Sequence, residues 1–463
     1  MTLIKSISGI RGTIGGLPGE NLTPLDTVLF ASAYGSWVKT QFPEEKVTIV
    51  IGRDARISGE MISNLVCQTL LGLGIDVIDL GLSTTPTVEI AVPFEKAQGG
   101  IILTASHNPK EWNALKLLNH KGEFISGEFG AQVLAIAAAN QFSYVDVDHL
   151  GKLTKTDVYL HKHIASILTL PLVDVEAIKK ANFSIVVDAV NSTGGIFVPA
   201  LLRALGVQQI VEMYCEPTGH FPHNPEPLPE HLGDLSNAIL NHKADLGITV
   251  DPDVDRLAFV CEDGSMFGEE YTLVAVADYV LSINPGPTVS NLSSTRALRD
   301  ITEEKYNQRY EAAAVGEVNV VEKMKSIGAV IGGEGNGGII YPESHYGRDA
   351  LVGIALFLSH LAKKGGTVSE LRDSYPRYTI SKNKITLTPF IDADFILKTM
   401  EERYQSAEID TTDGLKIYIE KEWVHLRKSN TEPIIRIYSE SQDAASANRF
   451  AEKIIAEIQG LIN

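Results

Sequence analysis

The chain has 463 residues, 44 % of them apolar and 21 % charged, and a net charge of −18. That length exceeds what one hydrophobic core organises, so three or four domains are expected. The acidity argues against nucleic acid or an anionic membrane as the main partner. The longest apolar stretches, such as Val352–Leu358, are far shorter than the roughly 20 residues that span a bilayer. Ser8, Gly9 and Arg11 interrupt any secretory-type apolar run near the start, so a cytoplasmic location is expected. Cys67, Cys215 and Cys261 are far apart and make no metal-ligand spacing, as suits free thiols in a reducing compartment.

In chain order, Lys46–Asp54, Ile75–Gly81 and Gly99–Ser106 are short β-branched runs ending in turn residues, with a helical pattern over Glu60–Leu73 between them. This is the βαβ rhythm of an α/β domain with buried strands. The rhythm restarts at Phe183–Gly195, continues in Ala244–Asp253, and restarts again near Ala314. After Lys363–Lys382 the pattern alternates over four short runs and closes with a helix at Ala444–Leu461, which predicts an α+β unit. Domains are expected over 1–150, 151–255, 256–375 and 376–463.

Four motifs carry chemistry. In TASHNPKEWNALK, Ser106 stands where a strand gives way to a loop, the edge at which open α/β sheets collect ligands. Beside His107, with Lys116 near, it suits a nucleophile or phosphoryl carrier; an ordinary hydroxyl turn reads the same in isolation. In DPDVDR, Asp251, Asp253 and Asp255 fall at i, i+2 and i+4, and a period near two points them to one side. Pro252 speaks against a regular strand there, so the chain is turning into a loop. Three close carboxylates repel unless a cation lies between them, and Mg²⁺ suits such an oxygen site.

In GGEGNGG, five glycines in seven residues admit close backbone approach to a ligand, with Glu334 and Asn336 offering hydrogen bonds. In RKSNTEPIIR, Arg427, Ser429, Asn430 and Thr431 bracket a turn and Arg436 follows. Guanidinium forks with hydroxyl and amide donors match a phosphate dianion. Arg11, between glycines, and Arg53 and Arg56, after a strand, are each more often packing or capping residues.

Together, and in this order, the motifs resemble the α-D-phosphohexomutase family, over nearly the whole chain from Ser8 to Arg436. TASHNP carries the resemblance most specifically, followed by DPDVDR and SNTEPIIR. It implies a four-domain enzyme: three similar α/β domains with mixed sheets and a C-terminal α+β domain around a central cleft. It implies a phosphoserine at Ser106, with Asp251, Asp253 and Asp255 holding Mg²⁺ together with the Ser106 phosphoryl oxygen. Arg11, His107 and Lys116 are its candidates for acid and base. Arg256, Glu334 and Asn336 would contact the sugar, and Arg427, Ser429, Asn430, Thr431 and Arg436 the phosphate that does not react.

The expected reaction interconverts hexose 6- and 1-phosphates through a bisphosphorylated sugar, with hexose 1,6-bisphosphate as activator. The phosphosugar is the expected partner, and the chain acts as monomer or homodimer. Asn336 and Gly338 stand where well-known bacterial members carry Ser and His, and Trp112 and Ala114 replace a usual Tyr and Gly. GEGNGG is closest to members assigned as phosphoglucosamine mutases, so glucosamine phosphate is favoured over glucose or mannose phosphate. A phosphosugar phosphatase is the remaining alternative.

Overall fold

The computed structural model describes residues 2–6, 9–387, 391–428 and 434–462. They form two compact units, residues 1–272 with 338–369, and residues 273–337 with 370–463.

In the first unit, one sheet holds β1 (Ile4–Ser6), β2 (Gly9–Thr13), β3 (Thr48–Arg53), β4 (Asp76–Leu82), β5 (Gly99–Leu103), β6 (Trp112–Leu118) and β7 (Leu153–Lys155), in the order β1-β2-β6-β5-β3-β4-β7. Strands β5, β3, β4 and β7 run parallel, while β6 turns back antiparallel along β5. The sheet is therefore mixed. The helices α1 (Pro24–Gln41), α2 (Gly59–Gly72) and α3 (Thr85–Phe94) connect its strands. Each start has a local cause: Thr23 and Asp26 close a capping box on α1, and the Thr84 hydroxyl accepts the Thr87 N–H at the head of α3. Every residue of β5 is buried, because helices cover both faces of a parallel sheet.

After α4 (Gly127–Ala139), α5 (Tyr159–Leu168) and α6 (Val175–Ala181), a second sheet comprises β8 (Ser184–Asp188), β9 (Gln209–Met213), β10 (Leu246–Val250) and β11 (Leu257–Cys261), with α7 (Gly194–Ala204) between β8 and β9. Its strand order is β11-β10-β8-β9. It runs past residue 255, since β10 and β11 are the two arms of an antiparallel hairpin. The helix Ala350–Lys364 belongs to this unit and is buried on nearly all sides. Its Phe357 stacks on Phe259 of β11 at 3.8 Å, with Phe267 edge-on at 5.2 Å from Phe357. This aromatic trio fixes the residues just before that helix against the β10–β11 hairpin.

In the second unit, β12 (Thr288–Asn291), β13 (Tyr310–Ala313) and β14 (Ile331–Glu334) are parallel, with β12 in the middle; β15 (Gly338–Ile340) lies in the first unit. The C-terminal strands β16 (Thr379–Thr386), β17 (Glu408–Asp410), β18 (Leu415–Ile419), β19 (Glu422–Lys428) and β20 (Ile434–Ser441) form an antiparallel sheet ordered β16-β20-β19-β18-β17. The final helix, Ala444–Ile462, packs its apolar stripe of Phe450, Ile454 and Ile458 into that sheet's core. The stretch Lys363–Lys382 contains the end of helix Ala350–Lys364, the helix Val368–Asp373 and the start of β16. Among the described residues no helix is long and apolar enough to cross a membrane.

Candidate active site

Ser106 lies just beyond β5, and its φ of +50° is left-handed, a conformation that strains a residue bearing a Cβ. Two contacts hold it there. The Thr104 hydroxyl accepts the Ser106 N–H at 2.9 Å. Arg56, only 1 % exposed, places all five guanidinium N–H groups: Nε on Asp54, Nη1 on the carbonyls of Pro109 and Trp112, and Nη2 on those of Ser106 and Asn108. Asp54 is itself fixed by the Arg56 N–H at 2.9 Å and the Thr104 hydroxyl at 2.7 Å. Burial raises the Asp54 pKa, and Arg56 works against that rise. Arg56 is thus the internal template of the Ser106 loop, rather than a surface fork awaiting a ligand.

The hairpin turn after β10 brings the three aspartates together, by a route other than strand alternation. The strand ends at Val250, and Val254 turns the chain with a φ of +64°. Asp251 Oδ1 then accepts the backbone N–H groups of Asp255 (3.2 Å) and Arg256 (3.1 Å), folding the loop back on its first carboxylate. Outside, the Pro252 carbonyl accepts the hydroxyls of Ser192 (2.7 Å) and Thr193 (2.9 Å), ahead of α7. The carboxylate oxygens of Asp251, Asp253 and Asp255 converge within 4.8 Å of one another, all fully buried.

Their partners divide the charge. Asp251 Oδ2 accepts the Ser106 hydroxyl at 2.7 Å. Asp253 Oδ2 receives Lys116 Nζ at 2.7 Å and the Thr85 hydroxyl at 2.5 Å. Asp255 Oδ2 receives Arg348 at 2.6 Å and Lys116 at 3.4 Å. Asp253 Oδ1 and Asp255 Oδ1 have no hydrogen-bond partner although both are buried. Such oxygens are costly to desolvate alone, and a hard divalent cation such as Mg²⁺ fits them. Burial, reinforced by Asp253 and Asp255, pushes the Asp251 carboxyl well above the usual range. Burial also disfavours the charged forms of Asp253 and Lys116, but their mutual attraction wins, lowering the Asp253 pKa and raising that of Lys116.

His107 Nδ1 lies 3.4 Å from Ser106 Oγ, and its other ring nitrogen is 3.9 Å from Glu226, which also receives Arg256 at 3.2 Å. Burial, helped by the Arg256 charge, holds the His107 pKa well below its usual value, so the ring is neutral near pH 7. Arg11 faces Ala114 across the β2–β6 ladder. That register puts Arg11 and Lys116 on one face of the sheet as diagonal neighbours.

In the second unit, Glu334 ends β14 with Oε1 accepting Asn291 Nδ2 at 2.8 Å and the Gly316 N–H at 3.0 Å. Asn336 Nδ2 sits 3.5 Å from Glu334 Oε2. Arg427 is paired with Asp413 at 2.9 Å. Arg427 and Arg436 are directly opposite across β19–β20, and Lys384 is directly opposite Arg436 across β16–β20. Three cations therefore form one row on one face, an arrangement that repels itself and favours a bound anion. Ser429, Asn430 and Thr431 lie outside the described residues.

The first unit thus gathers Ser106, His107, Lys116, Asp251, Asp253, Asp255 and Arg256 at one place. Sequence reading missed Thr85, Arg348 and Lys384, which reach their partners from remote parts of the chain, and undervalued Arg56. Only the polar run after β3, GRDAR, hinted at the last.

Four domain profiles match the chain in order: "Phosphoglucomutase/phosphomannomutase, alpha/beta/alpha domain I" over residues 3–144, domain II over 159–264, domain III over 268–378, and the "C-terminal domain" over 391–457. A "Phosphoglucomutase/phosphomannomutase" of Thermococcus kodakarensis is 36 % identical over 95 % of this chain and 96 % of that protein. A "Probable phosphoglucosamine mutase" of Methanopyrus kandleri is 31 % identical over 97 % and 96 %. The crystal structure of a phosphoglucomutase/phosphomannomutase family protein from Burkholderia thailandensis superposes with a TM-score of 0.83 at 25 % identity, covering 99 % of this chain and 97 % of that one.

Proposed function

The chain belongs to the phosphoglucomutase/phosphomannomutase family and is a phosphohexomutase, and from that premise we propose that Ser106 carries the phosphoryl group it moves. The observation that carries the proposal is a serine just beyond the carboxyl end of β5 in a mixed sheet, strained at φ +50°, with its hydroxyl 2.7 Å from the first of three clustered buried aspartates.

Phospho-Ser106 would give its phosphoryl group to the free hydroxyl of a hexose phosphate. The P–Oγ bond breaks, a P–O bond to the sugar forms, and the hydroxyl proton leaves to a base. The bisphosphate turns over, and its other phosphoryl group returns to Ser106. Mg²⁺ held by Asp251, Asp253 and Asp255 would neutralise charge on the transferring group. Neutral His107, 3.4 Å from the Ser106 hydroxyl, suits proton acceptance. Cationic Lys116 and Arg11, on one sheet face, suit proton donation and charge stabilisation. Arg256, Glu334 and Asn336 are proposed to contact the sugar. The row Arg427, Arg436 and Lys384, with Ser429, Asn430 and Thr431, would grip the phosphate that does not react.

Glucosamine phosphate is the favoured substrate, supported by the GEGNGG loop and the name of the M. kandleri relative. Hexose 1,6-bisphosphate would act as activator by rephosphorylating Ser106. The expected domains over 1–150, 151–255, 256–375 and 376–463 complete the proposal, with the boundary at 255 moved past residue 261 so that the second keeps the whole β10–β11 hairpin. So does a cytoplasmic chain, working as monomer or homodimer.

The test is turnover with Mg²⁺ and the matching bisphosphate on glucosamine, glucose and mannose 1-phosphates, with Ser106→Ala as control. Glucosamine phosphate should lead in kcat/KM by tenfold or more, about 1.4 kcal/mol. A lead by glucose or mannose phosphate overturns the substrate. Stoichiometric phosphate release in place of isomerisation would make the chain a phosphatase, and an active Ser106→Ala would remove the phosphoserine.

A further inference from the structure

Asp253 and Asp255 are each gripped by a clamp from a remote part of the chain. Thr85, at the head of α3, holds Asp253 twice: its hydroxyl donates to Oδ2 at 2.5 Å and its N–H to the Asp253 carbonyl at 2.9 Å. Residues 348–350, at the head of helix Ala350–Lys364, hold the other side of the turn. Arg348 donates to Asp255 Oδ2 at 2.6 Å, and the Ala350 N–H donates to the Val254 carbonyl at 3.2 Å. The spacing of the two clamps therefore sets the spacing of the two aspartates. It also sets that of Asp253 Oδ1 and Asp255 Oδ1, the buried oxygens without a hydrogen-bond partner.

One side chain joins the clamps. His163 of α5 is fully buried, with Nδ1 2.8 Å from the Thr87 hydroxyl and Nε2 2.9 Å from Asp349 Oδ2. Thr87 lies in the first turn of α3, its hydroxyl 2.6 Å from that of the cap residue Thr84, so it is fixed together with Thr85. Asp349 stands between Arg348 and Ala350 and caps their helix by accepting the N–H groups of Leu351 and Val352. A second histidine runs alongside: His345 Nε2 is 3.2 Å from Asp349 Oδ2, and its Nδ1 is 3.5 Å from Glu89 Oε2 on α3. A Cβ on Gly347 would collide with the Glu89 carboxylate, so this loop lies directly on α3. Packing alone does not account for His163, because a leucine fills a buried helix face with no polar group to desolvate. What the imidazole adds is two polar atoms on a rigid ring, and both serve the clamps.

We propose that His163 is a positioning residue of the cation site: by tying Thr87 to Asp349 it holds the two clamps at one spacing and presets Asp253 and Asp255 for Mg²⁺. The inference rests on the reading that these aspartates hold a divalent cation. Mg²⁺ demands short, near-octahedral oxygen contacts, whereas the larger Ca²⁺ tolerates irregular ones, so slack between the clamps costs Mg²⁺ more. Groups that orient ligands without touching the metal contribute about 10–100-fold to its affinity.

Isothermal titration of the full chain, stripped with EDTA, tests this with Mg²⁺ and Ca²⁺ as separate arms. Thr87→Val is nearly isosteric and removes only the hydroxyl that His163 meets. His163→Gln keeps a donor for Asp349 but cannot span both partners. Both variants should bind Mg²⁺ about tenfold more weakly than the parent, and lose less affinity for Ca²⁺. Val133→Ala, in the buried core under α4, lowers stability without touching either clamp and should bind both cations as the parent does. The proposal is overturned if either clamp variant binds Mg²⁺ within about twofold of the parent, if Ca²⁺ affinity falls equally, or if Val133→Ala weakens Mg²⁺ as much. A parent that binds no Mg²⁺, or an Asp255→Asn variant that binds it undiminished, would instead remove the cation reading beneath it.

Discussion

Replacing Arg56 by lysine tests whether the Ser106 loop owes its shape to one buried guanidinium. All five of its N–H groups are used, four on carbonyls of residues 106–112 and one on Asp54. A lysine ammonium has three donors in a different geometry, so at least two of the five bonds are lost. Leaving a buried acceptor unsatisfied costs about 1–3 kcal/mol, so a loss of about 3 kcal/mol in local stability is expected. The charge opposite Asp54 survives in this variant, which avoids the further loss of about 3–5 kcal/mol that follows from breaking a buried ion pair. Freed from its template, Ser106 keeps only the Thr104 bond to hold its φ of +50°, and a displacement of about 1 Å lowers the transfer rate about 100-fold. The assays are hydrogen exchange at residues 104–112 and phosphorylation of Ser106 by hexose 1,6-bisphosphate, read by mass. Exchange and phosphorylation rates both within twofold of the parent would refute the template argument.

Lys384→Ala removes one cation from the row opposite Arg436 and should raise KM for the hexose phosphate about fivefold while kcat falls less; an unchanged KM in steady-state assays would take Lys384 out of the phosphate grip. His223 pairs with Asp188 at 2.9 Å; burial alone would lower its pKa, but that hydrogen bond and the carboxylate charge raise it. A raised folded-state value stabilises below the unfolded value of about 6.5 and is lost as pH rises through the folded one. His223→Gln should therefore destabilise at pH 5.5, with the difference shrinking by pH 9 in denaturant titrations; a pH-independent difference would refute the linkage. Chelation with EDTA should abolish turnover, with recovery on adding Mg²⁺, because two buried carboxylate oxygens otherwise lack partners; full activity in excess chelator would exclude the metal role of the triad.

Local sequence determined the elements and the identity of the reacting groups. The β-branched runs ending in TASHNP and DPDVDR place a serine and three aspartates where strands end, since apolar runs are buried and polar turns are not. Cap residues such as Thr23 and Thr84 fix helix starts for equally local reasons. Which groups meet was decided only by the tertiary fold. The aspartates converge through a back-folded turn with Val254 at φ +64°, although alternation along a strand already suggested one side. Lys116, Thr85 and Arg348 reach the triad from positions 137, 168 and 93 residues away in sequence. No local pattern encodes such distances, because they follow from sheet order and from the packing of helix Ala350–Lys364 on β11. The row Lys384–Arg436–Arg427 is likewise a property of register, since strand pairing sets which side chains stand opposite and their sequence spacing does not.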